Sequence, residues 1–117
     1  MGTSVLIIDD DDAFGRAAAE MLAGRGYRVL GQVNTVVEAL ASCDQLEPDA
    51  VLLDVRLPDG DGVALAQQLH ARPHRPRILL TSSDRKAVSP ERVRESGASG
   101  FIPKTSLARS DLDRFLR

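Results

Sequence analysis

The chain is poor in the residues that build special chemistry. Among its 117 residues there is one cysteine, there are two histidines and no tryptophan, and aromatics make up only 3%. Cys43, standing alone, excludes a disulfide framework and a thiolate metal cluster. It reads as a small hydrophobe buried on a helix. No apolar run approaches the roughly 20 residues that cross a bilayer, and the N-terminus lacks the basic region of a signal peptide. These absences point to a cytoplasmic chain without a membrane segment. Repeats, low-complexity tracts and linkers are also missing. One domain is therefore expected to fill residues 1–117, a length that suits one core and is too short for two.

What is present is unevenly spread. Residues 1–61 hold 12 acids against 4 arginines, net −8, whereas residues 62–117 hold 11 lysines and arginines against 5 acids, net +6. An acidic pocket from the first half and a basic docking face from the second would follow from this division, as would simple pairing of the halves. With a total of −2 and no helix-turn-helix, zinc motif or basic recognition helix, direct DNA binding is not expected.

Strand-length apolar runs recur at Val5–Ile8, Ala50–Leu53, Ile78–Leu80 and Gly100–Ile102. Their apolarity is continuous rather than alternating, which predicts strands covered on both faces, as in a parallel sheet under helices. A more mixed stretch, YRVLGQV at 27–33, reads as an edge strand. Between the runs lie helical patterns. The first carries an apolar stripe at Phe14, Ala17, Ala18, Met21 and Leu22, with Asp11 and Asp12 as N-terminal caps. The second covers 35–46, opening on a Thr35/Glu38 capping box and ending before Pro48. The third follows an Asp61 cap and closes before Pro73. The fourth is short, with Ser89 as its cap and Pro90 in its first position. The last lies within 105–117 and uses Leu112, Phe115 and Leu116, with Ser110 as a candidate cap. Five strand–helix units make an α/β fold.

Polar residues follow the buried runs at once. Asp9 and Asp10 end the first, Asp54 the third and Thr81 the fourth, and Lys104 follows the fifth after Pro103. Parallel strands bring such residues to one edge, the carboxyl end where ligands bind. Three carboxylates gathered there repel by about 4 kcal/mol per close pair at an effective dielectric near 20. Such a cluster must protonate in part or hold a cation. Oxygen donors without His or Cys favour a hard ion such as Mg²⁺. A carboxylate nucleophile, an ammonium and a hydroxyl beside that ion are the parts that stabilise a transferring phosphoryl group.

The stretches VLIIDDDD, PDAVLLDVRLPDGDG, RILLTSS and GASGFIPK, in this order and spacing, resemble the receiver domain of two-component response regulators over nearly the whole chain. The resemblance implies a flavodoxin-like (βα)5 three-layer sandwich with a parallel five-stranded sheet of order 2-1-3-4-5. It implies that Asp54 accepts a phosphoryl group from a sensor histidine kinase or histidine phosphotransfer protein. Mg²⁺ would be held by Asp10, Asp54 and the backbone carbonyl of Arg56, with Asp9 acting largely through water. Thr81 and Lys104 would bind phosphoryl oxygens, and Thr81 with Phe101 would form the conformational switch. Arg56 and Ser83 hold the positions that tune phosphoryl lifetime, and Arg56 is expected either to pair with Asp9 or to screen the phosphoryl group. Such a chain is a signalling phosphoacceptor rather than an enzyme. It would act on an output protein or a C-terminal effector domain, with homodimerisation possible.

Two other functions compete. A pseudo-receiver would bind partners without phosphoryl chemistry, but the intact Asp10, Asp54, Thr81 and Lys104 argue against it. A Mg²⁺-dependent phosphohydrolase would commonly carry a second Asp two residues after its nucleophile, where this chain has Arg56. Asp59 and Asp61 read as turn and cap residues.

Overall fold

A computed structural model describes residues 2–117. Five strands form the central sheet: β1 (Ser4–Ile8), β2 (Arg28–Val33), β3 (Ala50–Asp54), β4 (Arg77–Ser82) and β5 (Gly100–Pro103). All neighbours pair in parallel, in the spatial order β2-β1-β3-β4-β5. This is the flavodoxin-like arrangement that the resemblance implied.

The continuous apolar runs are explained by two cores. Leu6, Ile8, Val51, Leu53, Ile78 and Leu80 face one side of the sheet. There they meet α2 (Val36–Leu46), α3 (Gly62–His70) and, less deeply, α4 (Pro90–Glu95). The alternate residues Val5, Ile7, Ala50, Leu52 and Leu79 face α1 (Asp12–Gly24) and the C-terminal segment. Because successive side chains point to opposite faces, a strand clad on both sides must be apolar at every position. Cys43 is buried in the first core, as expected, and burial pushes its thiol up to about 11.

β2 is the edge strand expected from its mixed composition. Its register against β1 shifts between Val5 and Leu6, so that Val5 faces Val29 while Leu6 faces Gly31 at φ 149°. A glycine accepts this bulge where a larger residue would be strained.

Helix starts follow local chemistry, with two corrections. Thr35, Asp61 and Ser89 cap α2, α3 and α4 through their side chains, and Pro90 opens α4. In α1 the cap is Asp11 alone, because its carboxylate accepts from the Phe14 N–H while Asp12 is already inside the first turn. Ser110 caps no α-helix. It ends a 3₁₀ segment, Lys104–Arg109, where its hydroxyl donates to the Ser106 carbonyl. The final α5 is only Asp113–Leu116 and starts from Leu112 without a side-chain cap. This end is held instead by side chains from the end of α1, the turn before β2 and the start of β4. Arg25 donates to the Ala108 and Ser110 carbonyls, Tyr27 donates to Asp113, and Arg77 donates to the Arg114 and Phe115 carbonyls.

One feature had no counterpart in the expected elements. Arg56–Leu57 and Gly60–Asp61 form a two-stranded antiparallel hairpin directly after β3. Gly62 closes it against the end of β3, donating its N–H to the Val55 carbonyl at 2.6 Å. A Cβ at residue 62 would lie inside the van der Waals shell of the Asp54 carbonyl oxygen, which is backbone and cannot swing aside. We expect Gly62→Ala to cost about 2 kcal/mol in urea unfolding. It should also shift the Asp54 amide resonance more than a surface Gly24→Ala control, since no atom lies within 4 Å of that position.

Candidate functional site

The parallel sheet delivers its polar residues to one edge. Asp9 and Asp10 leave β1, Asp54 ends β3 and sits in register with Thr81 of β4, and Lys104 follows β5. Carboxylate oxygens of Asp9, Asp10 and Asp54 lie within 4.8 Å of one another. A cleft of about 400 Å³ opens over them, lined among others by Asp10, Asp54, Arg56, Ser83, Asp84 and Lys104.

Lys104 organises the floor. Its Nζ stands 2.8 Å from Asp9 Oδ2 and 3.2 Å from Asp54 Oδ2. The other oxygen of each acid is held by the backbone: Asp9 Oδ1 accepts from the Asp11 N–H, and Asp54 Oδ1 accepts from the Arg56 N–H. Asp9 is only 1% exposed. Burial pushes its carboxyl pKa up, and the charge of Asp54 adds to this, while Lys104 and the Asp11 N–H offset it in part. Burial alone would lower Lys104, but hydrogen bonding and charge from Asp9 and Asp54 hold its ammonium above the ordinary lysine value. Asp9 Oδ2 faces the Lys104 ammonium at 2.8 Å, and no other hydrogen-bond donor reaches that oxygen. A buried carboxylate oxygen with lone pairs that no other donor takes, beside two further carboxylates, fits a hard cation. Asp10, exposed at the mouth, leaves such an ion open to solvent on one side.

Not every expected side chain enters the cleft. Thr81 is buried, and its hydroxyl donates to the Ile102 carbonyl at 2.7 Å, away from Asp54. Ser82 is buried at the cleft wall, where its hydroxyl accepts from the Asp84 N–H, and Ser83 is exposed at the rim. Phe101 is half-buried on the far side of β5 from α1, packed on the core and bordering a groove with Val88, Val93 and Arg94. Of the two expected roles of Arg56, the pairing with Asp9 is not found. Asp9 is already engaged by Lys104, and Arg56 reaches outward to Asp84 at 3.7 Å with its side chain 76% exposed. That pair lies across the cleft rim and is too solvated to contribute much.

Gln32 was missed as a supporting residue, and Asp59, read as a turn residue, does lie in a turn but has a partner that the sequence did not indicate. Gln32 on β2 donates to the Asp9 carbonyl at 2.9 Å, bracing the acidic loop from the neighbouring strand. Asp59, in the hairpin turn, accepts from the Val36 and Val37 N–H groups and so caps α2 from another part of the chain. Those hydrogen bonds, the Val36 one foremost, hold its carboxyl below the ordinary value. Neither pairing carries a sequence signal, since each partner is more than twenty positions distant.

Lys104→Met keeps the bulk of the side chain but strands the Asp9 carboxylate. We expect a loss of about 2 kcal/mol at pH 7, less than for a fully enclosed pair because the site borders an open cleft. Asp9→Asn in that background should restore most of it. With the Asp9 pKa raised, and raised further without Lys104, acidification protonates the stranded carboxylate. The deficit should therefore shrink as pH falls, which urea unfolding across pH will test.

Comparison with known proteins bears on the family and the fold. The family profile described as "Response regulator receiver domain" matches residues 5–116. The transcriptional regulatory protein PdtaR of Mycobacterium tuberculosis is 31% identical, over 86% of this chain and 48% of its own length. The DNA-binding transcriptional activator DevR/DosR of the same organism is 34% identical, over 86% and 46%. The chain thus spans about half the length of the curated relatives it matches. A CheY-like response regulator receiver domain protein from Methanospirillum hungatei superposes with a TM-score of 0.83 at 26% identity, covering 97% of this chain and 90% of that one. The chain belongs to the response regulator receiver domain family of two-component signalling.

Proposed function

We propose that residues 1–117 form a phosphoacceptor receiver domain in which Asp54 takes a phosphoryl group from the phosphohistidine of a sensor kinase or phosphotransfer protein. In this reading an Asp54 carboxylate oxygen forms the new O–P bond as the N–P bond breaks, and the departing imidazole takes up a proton. The observation that carries it is the placement of Lys104, whose ammonium touches both Asp9 and Asp54 at the floor of an open cleft. A cation already in contact with the nucleophile meets growing charge on a phosphoryl oxygen without having to move far.

Asp10, Asp54 and the carbonyl of Arg56, with Asp9 acting through water, are the groups proposed to hold Mg²⁺. Bound there, the ion supplies positive charge that offsets both the carboxylate repulsion and the charge of the phosphoryl group. The spare lone pairs of Asp9 Oδ2 and the lack of nitrogen or sulfur donors support this choice.

Thr81 is proposed as the switch. Its hydroxyl is tied to Ile102, the neighbour of Phe101, so turning it toward a phosphoryl oxygen gives up that bond beside the aromatic ring. The equilibrium at the face of α4, β5 and α5 would shift with it, altering the fit to an output protein or effector domain. Arg56 and Ser83, at the cleft rim, are proposed to tune the lifetime of the phosphoryl group. The domain is read as a signalling module that promotes only its own phosphorylation and dephosphorylation.

Incubation with a small phosphodonor and Mg²⁺, followed by intact mass measurement, should show one phosphoryl adduct on the wild type and none on Asp54→Ala. An unmodified wild type would favour a pseudo-receiver, and continuous turnover of a phosphate ester would favour a hydrolase. In a separate measurement, Mg²⁺ at a hundred times its dissociation constant should stabilise the fold by about 2.7 kcal/mol. Asp10→Ala should remove most of that gain.

A further inference from the structure

The aromatic stripe position Phe14 does more than fill the core beneath α1. Its ring centroid lies 4.3 Å from Lys104 Nζ. We propose that Phe14 is a positioning residue for Lys104, its ring face holding the ammonium against the two carboxylates. The proposal rests on the phosphoacceptor reading above.

A closed circuit of contacts supports it. Asp9 Oδ1 accepts from the Asp11 N–H at 2.9 Å, and Asp11 Oδ1 accepts from the Phe14 N–H at 3.1 Å. The Phe14 ring then faces Lys104 Nζ, which stands 2.8 Å from Asp9 Oδ2. The acidic loop thus sets the start of α1, the start of α1 sets the ring, and the ring sets the cation that neutralises the loop. An apolar groove of about 250 Å³ runs beside the contact, lined by Ala17, Ala18, Met21, Leu107 and Ala108. These side chains offer the ammonium no other polar partner, so the ring's negative face is its stabilising neighbour on that side. The Lys104 side chain is accordingly only 11% exposed.

The chemical consequence concerns order rather than charge. A lysine has four rotatable bonds and wanders unless something holds it. When the phosphoryl group forms on Asp54, the Asp54 contact must be shared with a phosphoryl oxygen. Asp9 and the Phe14 ring remain to hold Nζ in place, so the cation stays aimed at the developing charge.

The test compares wild type, Phe14→Leu and Phe14→Tyr with a small phosphodonor, which removes any role of Phe14 in docking a protein partner. Leucine keeps an apolar side chain at this half-buried site, and tyrosine keeps the ring. Phe14→Leu should lower the maximal phosphorylation rate by about tenfold, with little change in the donor concentration at half-maximal rate. Phe14→Tyr should recover most of the rate. Independently of phosphorylation, the ε-methylene protons of Lys104 should be shifted upfield by the ring in wild type and Phe14→Tyr, and should return toward ordinary values in Phe14→Leu. Wild-type kinetics in Phe14→Leu, or an unmoved Lys104 resonance, would overturn the proposal. A purely structural role for Phe14 would lower stability without changing the rate of the folded protein, and that outcome also overturns it. Absence of an adduct in all three proteins would defeat the phosphoacceptor reading and this proposal together, a result distinct from slowing confined to the leucine variant.

Discussion

The site depends on one lysine held between two carboxylates. Asp9 is a buried carboxylate directly after β1, whose residues Val5 to Ile8 are all apolar, a placement that would be costly for its charged form without a nearby cation. Lys104 supplies that cation from the far side of the sheet, and in doing so brings the ends of β1, β3 and β5 to a common point. Satisfying the buried charge and assembling the cleft are therefore the same event.

This economy shapes what surrounds it. Backbone N–H groups take the outer oxygens of Asp9 and Asp54, so that the inner oxygens face Lys104. Gln32 steadies the acidic loop from β2, and the hairpin after β3 is drawn against the sheet by Gly62. Around a rigid floor, the rim is left loose. Arg56 and Asp84 make only a long, exposed contact, and the chain from Ser83 to Ser89 has no regular structure before the short α4. The floor is thus tied by buried contacts, whereas the rim is held only by exposed ones.

Between β5 and α5 the chain departs from a regular strand–helix unit by inserting a 3₁₀ segment, Lys104–Arg109. Arg25 and Arg77 donate to backbone carbonyls of this segment and of α5, and Tyr27 donates to the Asp113 carboxylate. Leu107, Leu112 and Leu116 still close the second core. The apolar requirement of the sheet face is thus met by residues of both the 3₁₀ segment and the region around α5.

Much of this was legible in the residue order, for physical reasons that act over short distances. Continuous apolar runs mean burial on both faces, and a polar residue directly after each run marks the sheet edge. Side-chain caps at Thr35, Asp61 and Ser89, and Pro90 at a helix start, are contacts between residues two or three apart. From these the parallel fold and the gathering of Asp9, Asp10, Asp54 and Lys104 could be anticipated. What only the tertiary structure decided were the partnerships: Asp9 with Lys104 rather than Arg56, Asp59 with the start of α2, Thr81 with the Ile102 carbonyl, and the Phe14 ring with the Lys104 ammonium. Each joins segments that the sheet order brings together from distant parts of the chain. Periodicity says which face a residue occupies, but the reach of a side chain across that face is settled only when every neighbour has taken its place.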